Sequence, residues 1–219
     1  MRVVTFVTFV TVTLAAAVTL AAGTLAIGSA YAAPKGPAPG RTHVVIVRPV
    51  DATGRAEPGW VVHRMRGVRA DCAASAAPSA VDDQIFECFP SAAYLPACWP
   101  SRRHTVLCLR DALKKKLVRV RYHGPLGNVT APVTPSPIDM VLGRQDCSLR
   151  VGGAWGTIPT HPRWVGFYSC TRGSVYGPPS GDGVDRAQQP WTVRLWKSGT
   201  KHTVVRRSVT VAYLVGTGS

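Results

Sequence analysis

The sequence predicts an all-β fold: a small disulfide-stapled sandwich or barrel of about ten short strands, preceded by a signal peptide. Three observations lead there. Short apolar or alternating segments recur along the chain, with Gly- and Pro-rich turns between them. No segment carries a helical apolar stripe of useful length. Six cysteines, Cys72, Cys88, Cys98, Cys108, Cys147 and Cys170, all lie beyond the apolar N-terminus, and an even count in an exported chain points to disulfides.

The chain has 219 residues, 46% hydrophobic and 17% charged, which suits one domain. Residues 1–32 read as a secretory signal peptide. Arg2 precedes an apolar, Thr-rich run, and Ala30-x-Ala32 is a small-residue cleavage site. An uncleaved anchor is the rival reading, because the run is long enough to span a bilayer. Residues 33–41 (APKGPAPGR) form a Pro/Gly linker with little to bury. Residues 42–219 form the expected single disulfide-bonded β domain. The expected location is secreted or in the extracytoplasmic cell envelope.

Residues 43–50 (HVVIVRPV) read as a first strand, apolar enough to be buried, and 51–54 (DATG) as a turn. Residues 60–65 (WVVHRM) read as a second strand that could pair with the first as a hairpin. Residues 84–88, 105–109 and 117–122 follow as short strands. The last alternates, with Leu117, Arg119 and Arg121 on one face and Val118, Val120 and Tyr122 on the other, as a half-exposed strand does. Residues 109–116 could form one helical turn at most. Residues 124–137 carry four prolines and must be loop or edge. Residues 139–142 and 147–151 read as strands joined by the turn 143–146. Residues 164–170 and 191–196 read as further strands, 177–183 as an irregular loop, and 202–215 as a final strand or strand pair.

The cysteines set the frame. Nine residues separate Cys88 from Cys98 and Cys98 from Cys108. Spacing alone does not choose among the pairings. Closing local loops first gives the expectation Cys72–Cys108, Cys88–Cys98 and Cys147–Cys170. A zinc site is disfavoured: there is no Cys-x2-Cys pair and no two histidines at ligand spacing. No metal or cofactor is expected.

The formal net charge is +15, from 26 Lys and Arg against 11 Asp and Glu. Such an excess attracts anions. For an exported protein these are anionic lipid, phosphorylated wall polymer and acidic glycan; no nucleic-acid motif is present. The basic runs are Arg64/Arg66/Arg69, Arg102-Arg103-His104, Lys114-Lys115-Lys116 with Arg119 and Arg121, and residues 201–207. The candidate anion-binding face is Lys114, Lys115, Lys116, Arg119 and Arg121, three lysines leading into a strand with two outward arginines. A lone run is more often a solvated surface, so the functional reading needs several runs on one face.

Catalytic chemistry finds little support, and no catalytic residue is assigned. There is no Gly-x-Ser-x-Gly elbow. The only glutamates are Glu57 and Glu87, and the adjacent Asp82 and Asp83 would point to opposite faces of a strand. The tryptophans read mainly as core, Trp99 and Trp191 among them; Trp155, after Gly152-Gly153-Ala154, is the best candidate for exposure.

Several marks together resemble a group of exported six-cysteine proteins of actinobacteria. They are residues 49–54 (PVDATG), 86–91 (FECFPS), 97–99 (ACW), 107–111 (LCLRD), 146–150 (DCSLR), 152–155 (GGAW), 168–170 (YSC) and 191–194 (WTVR). The similarity runs from about residue 44 to 216. It implies export and a compact disulfide-bonded domain, and it assigns no activity. The functional expectation is therefore a secreted, basic, non-enzymatic protein that binds anionic envelope components. The alternative is a peptidase inhibitor presenting the cysteine-bounded loop 89–96; a hydrolase ranks third.

Overall fold

A computed structural model describes residues 40–72, 75–90, 94–152, 157–197 and 203–219. The signal-peptide segment, most of the linker and Trp155 lie outside them. The described residues are all-β and contain no helix. Fourteen strands are present among them: β1 (His43–Val47), β2 (Val61–Asp71), β3 (Phe86–Cys88), β4 (Leu95–Ser101), β5 (Thr105–Asp111), β6 (Lys116–His123), β7 (Asp139–Leu142), β8 (Gln145–Leu149), β9 (Val165–Cys170), β10 (Gly173–Gly177), β11 (Val184–Asp185), β12 (Thr192–Trp196), β13 (Val204–Ser208) and β14 (Val211–Val215).

They form two sheets. One has nine strands, ordered β1-β14-β7-β8-β9-β10-β12-β11, with β13 also on β12; the other has five, ordered β2-β6-β5-β4-β3. The expected hairpin of the first two strands does not form. β1 pairs in parallel with β14, and β2 pairs in parallel with β6, in the other sheet. The turn between them is nonetheless the predicted one. Asp51 Oδ1 accepts hydrogen bonds from the Thr53 and Arg55 N–H groups, both at 2.9 Å. Gly54 then adopts φ +75°, and a Cβ there would stand 2.4 Å from the Pro100 carbonyl oxygen. Nor is β1 buried as expected: it is the sheet's edge, and Val44 and Ile46 are exposed.

β4 carries Pro96 and Pro100 and was not legible as a strand, because prolines argue against a central position. The register explains their tolerance. Pro96 falls at an irregularity between the Phe86–Cys98 and Cys88–Leu95 pairs. Pro100 lies two residues beyond Cys98, past the end of β3, where its missing N–H is not needed by that neighbour.

Three apolar clusters hold the sheets. Trp99, Leu107, Leu109 and Leu117 of the five-stranded sheet pack with Val50, Ile85, Ile138 and Val215. On the opposite face, Phe86, Val106, Val118, Val120 and the first four cysteines are covered by Val129 and Leu126. Met140, Tyr168, Val175, Leu195 and Ala212 form a third cluster on the nine-stranded sheet. Both faces of β6 are therefore buried around Leu117 and Val118, so this strand is half-exposed only from Arg119 onward.

All six cysteines are in disulfides, Cys72–Cys88, Cys98–Cys108 and Cys147–Cys170. The last agrees with the local-loop expectation; the other two correct it. Strand register is the reason. Cys98 sits directly opposite Cys108 on β4 and β5, whereas Phe86, not Cys88, sits opposite Cys98. The sulfurs of Cys88, Cys98 and Cys108 lie within 4.8 Å of one another. They are two disulfides packed together, with no thiolate left to ligate a metal.

Candidate functional site: an arginine groove on the five-stranded sheet

The end of the five-stranded sheet where β6 finishes gathers three of the basic runs. β2 contributes Arg64, Arg66 and Arg69, the β4–β5 turn Arg102 and Arg103, and β6 Arg119 and Arg121. These seven arginines line one open groove of about 790 Å³, with Met65, Gly67, Val68, Thr105 and Val120. Among the described residues, no carboxylate and no aromatic ring lines it.

Pairing geometry brings the charges together. The parallel register sets Arg64 opposite Arg119 and Arg69 opposite Arg121. Between those pairs β2 has four residues, 65–68, where β6 has only Val120. The excess forms a bulge that contains Gly67, at φ +72° with open space around it, and the exposed Arg66. In the β4–β5 turn, Arg103 and His104 both have left-handed backbone, φ 56° and 57°, a conformation uncommon for arginine.

Arg119 is held in place. Its Nη1 donates to Ser101 Oγ at 2.9 Å and Thr105 Oγ1 at 3.2 Å. Those hydroxyls donate onward to the Gly54 and Arg102 carbonyls, both at 2.6 Å. Neutral acceptors thus orient the guanidinium without cancelling its charge. Burial, and then the neighbouring Arg64 cation, hold the Arg119 pKa below its usual value, though an arginine remains charged at neutral pH. Among the described residues, none of the seven arginines is in an ion pair. Other cations on the protein do find partners: Arg48 pairs with Asp82, Lys114 with Asp111, Arg186 with Asp182 and Arg206 with Asp185.

The sequence-based candidate face is divided by this arrangement. Arg119 and Arg121 line the groove; Lys114 and Lys115 sit in the β5–β6 turn, at the opposite end of β6. Lys116 is opposite Val61 at the start of the pair and lines a different cleft, between the sheets. At a strand rise of ~3.3 Å, Lys116 and Arg121 are ~17 Å apart along the strand. Sequence reasoning left out the partnership of β2 with β6, because parallel pairing of distant segments leaves no local signal. The spacing Arg64/Arg66/Arg69 was visible, but its facing partner was not.

Trp99 is buried and Trp191 packs against the third cluster. Trp164 is stacked on His161 at 3.7 Å, with the Arg194 guanidinium 5.1 Å from its centroid. In the loop 89–96, residues 91–93 lie outside the described residues. Its start is tied by paired hydrogen bonds between Phe89 and Asp71, and the Tyr94 N–H donates to the Val151 carbonyl at 3.2 Å. Of the run at 201–207, residues 201 and 202 are not described, and Arg206 and Arg207 lie exposed on β13. Comparison with protein-family models, curated proteins and solved structures finds no match.

Proposed function

We propose that this is an exported, non-enzymatic protein that binds anionic components of the cell envelope, and that the arginine groove is its binding surface. The observation that carries the reading is the gathering of seven guanidinium groups in one groove with no carboxylate among its described lining residues. Like charges set opposite one another across a strand pair destabilise the sheet. A bound polyanion would offset that cost and draw on the bidentate donor geometry of arginine. Three disulfides suit an oxidising extracytoplasmic compartment, and the resemblance to exported six-cysteine proteins points the same way.

The test is retention on isolated envelope material. Replacing Arg64, Arg66, Arg69, Arg119 and Arg121 with Gln together should release the protein at moderate salt. Replacing Lys114, Lys115 and Lys116 with Gln should leave retention nearly unchanged. If the arginine variant folds with its disulfides intact and is retained as strongly as the parent, the groove is not the binding surface.

A further inference from the structure

We propose that the groove's ligand is a linear phosphate polymer without bases, a chain of phosphodiester- or phosphoanhydride-linked units read through its backbone charges. This rests on the anion-binding reading above and narrows it to one chemical class.

The lining argues the class by what it contains. Among the described residues its cations are all arginine, with no lysine. The planar fork of arginine matches the tetrahedral phosphate oxygens with two parallel hydrogen bonds, where lysine offers a point charge. Arg119 has only Nη1 committed, to two hydroxyls, so donors on the rest of its guanidinium remain for a ligand. Successive same-face residues on a strand are ~7 Å apart and neighbouring strands ~4.8 Å apart. Arg64, Arg69, Arg119 and Arg121 thus present repeated cations to a repeated anion.

The lining also bears on the alternatives. Single-stranded nucleic acid is generally held by aromatic rings on which bases stack, and the groove's described lining has none. The rings of His104 and Tyr122, next in sequence to Arg103 and Arg121, are stacked on each other at 4.2 Å and do not line the groove. Peripheral membrane binding combines basic residues with protruding apolar ones. The large exposed apolar residues among those described, such as Ile46, Phe89 and Val165, all lie elsewhere. A concave, ring-free, acid-free channel fits an extended chain better than a flat lipid surface.

The experiment titrates the mature protein with long-chain inorganic polyphosphate and with poly(glycerol phosphate). Comparators are polyglutamate and heparin matched in charge, oligo-dT, orthophosphate, and phosphatidylglycerol vesicles. Both phosphate polymers should bind, with affinity falling by roughly 0.7 log units per log unit of salt for each phosphate engaged. The variant Arg64→Gln/Arg69→Gln/Arg121→Gln should bind at least about tenfold more weakly and lose about two to three units of salt slope. The charge-matched variant Arg144→Gln/Arg163→Gln/Arg172→Gln, altered outside the groove, should stay within about twofold of the parent. If the triple groove variant does not fold, Arg121→Gln alone, an exposed side chain, should still reduce the slope by about one.

Equal or tighter binding of polyglutamate or heparin overturns the phosphate assignment while leaving the anion-binding reading intact. Tighter binding of oligo-dT or of vesicles overturns it in favour of those partners. Orthophosphate binding as tightly as the polymers overturns the chain. No anion bound above the groove variant's level sinks both readings.

Discussion

Arg64 stands directly opposite Arg119 on the parallel β2–β6 pair, and among the described residues no carboxylate bridges them. Facing like charges cost on the order of 0.2–1 kcal/mol. In the unliganded protein Arg64→Gln should therefore raise stability by about 0.5 kcal/mol at low ionic strength. The gain should shrink as salt screens the pair. Thermal melts at two salt concentrations check this; a destabilised Arg64→Gln at low salt would show that the pair is not repulsive.

The turn that delivers Arg103 to the groove is strained. Arg103 and His104 both occupy left-handed backbone, which asparagine adopts more readily. Arg103→Asn should stabilise the fold by about 0.5–1 kcal/mol. It should also weaken polyanion binding, because a groove cation is lost. Stability gained together with affinity lost marks a residue retained for function; denaturant melts and binding titrations read the two effects separately.

Gly54 tests the contact between the 51–54 turn and β4. A methyl group there would meet the Pro100 carbonyl at 2.4 Å on a backbone with φ +75°. Both obstacles are backbone, so neither yields cheaply. Gly54→Ala should destabilise by more than about 2 kcal/mol, against about 1 kcal/mol for Gly59→Ala. Gly59 also has positive φ but open space around it. Because Ser101 Oγ donates to the Gly54 carbonyl as well as accepting from Arg119, Gly54→Ala should also weaken anion binding.

Asp139 gives a pH signature. It is buried in the cleft between the sheets, and burial pushes its carboxyl up to about 6, with Asp111 and Asp146 adding to the rise. Raised above its ordinary 3.8, this acid takes up its proton on folding. It destabilises the folded state above pH 6, and the penalty fades as pH falls from about 6 towards 4. Asp139→Asn should be more stable than the parent at pH 8, by up to about 2–3 kcal/mol. The advantage should vanish near pH 4. Chemical denaturation across that range checks it; an equal difference at both ends would mean the group does not titrate as described.

The fold class was legible because each of its signals is local. Alternation at 117–122, the prolines of 124–137, the Asp51 turn and the segments that became β7, β8, β9 and β12 can all be read within a few residues. β10 and β11 were missed, since Gly173 and Gly177 bound a five-residue strand and β11 is only two residues long. The prolines of β4 hid it, as their tolerance depends on the irregular β3–β4 register and on where β3 begins.

Composition and local pattern determined that this chain is β-built, rich in cations and supplied with an even set of cysteines. Charge excess and turn chemistry are sums over neighbouring residues, so they survive without a structure. Only the tertiary structure decided which strands meet: that β2 joins β6 rather than β1, that Cys98 faces Cys108, and that arginines from three separate segments converge while Lys114 and Lys115 stay apart. Register and parallel pairing are relations between distant residues, set by which apolar faces can be buried together, and no window along the chain contains them.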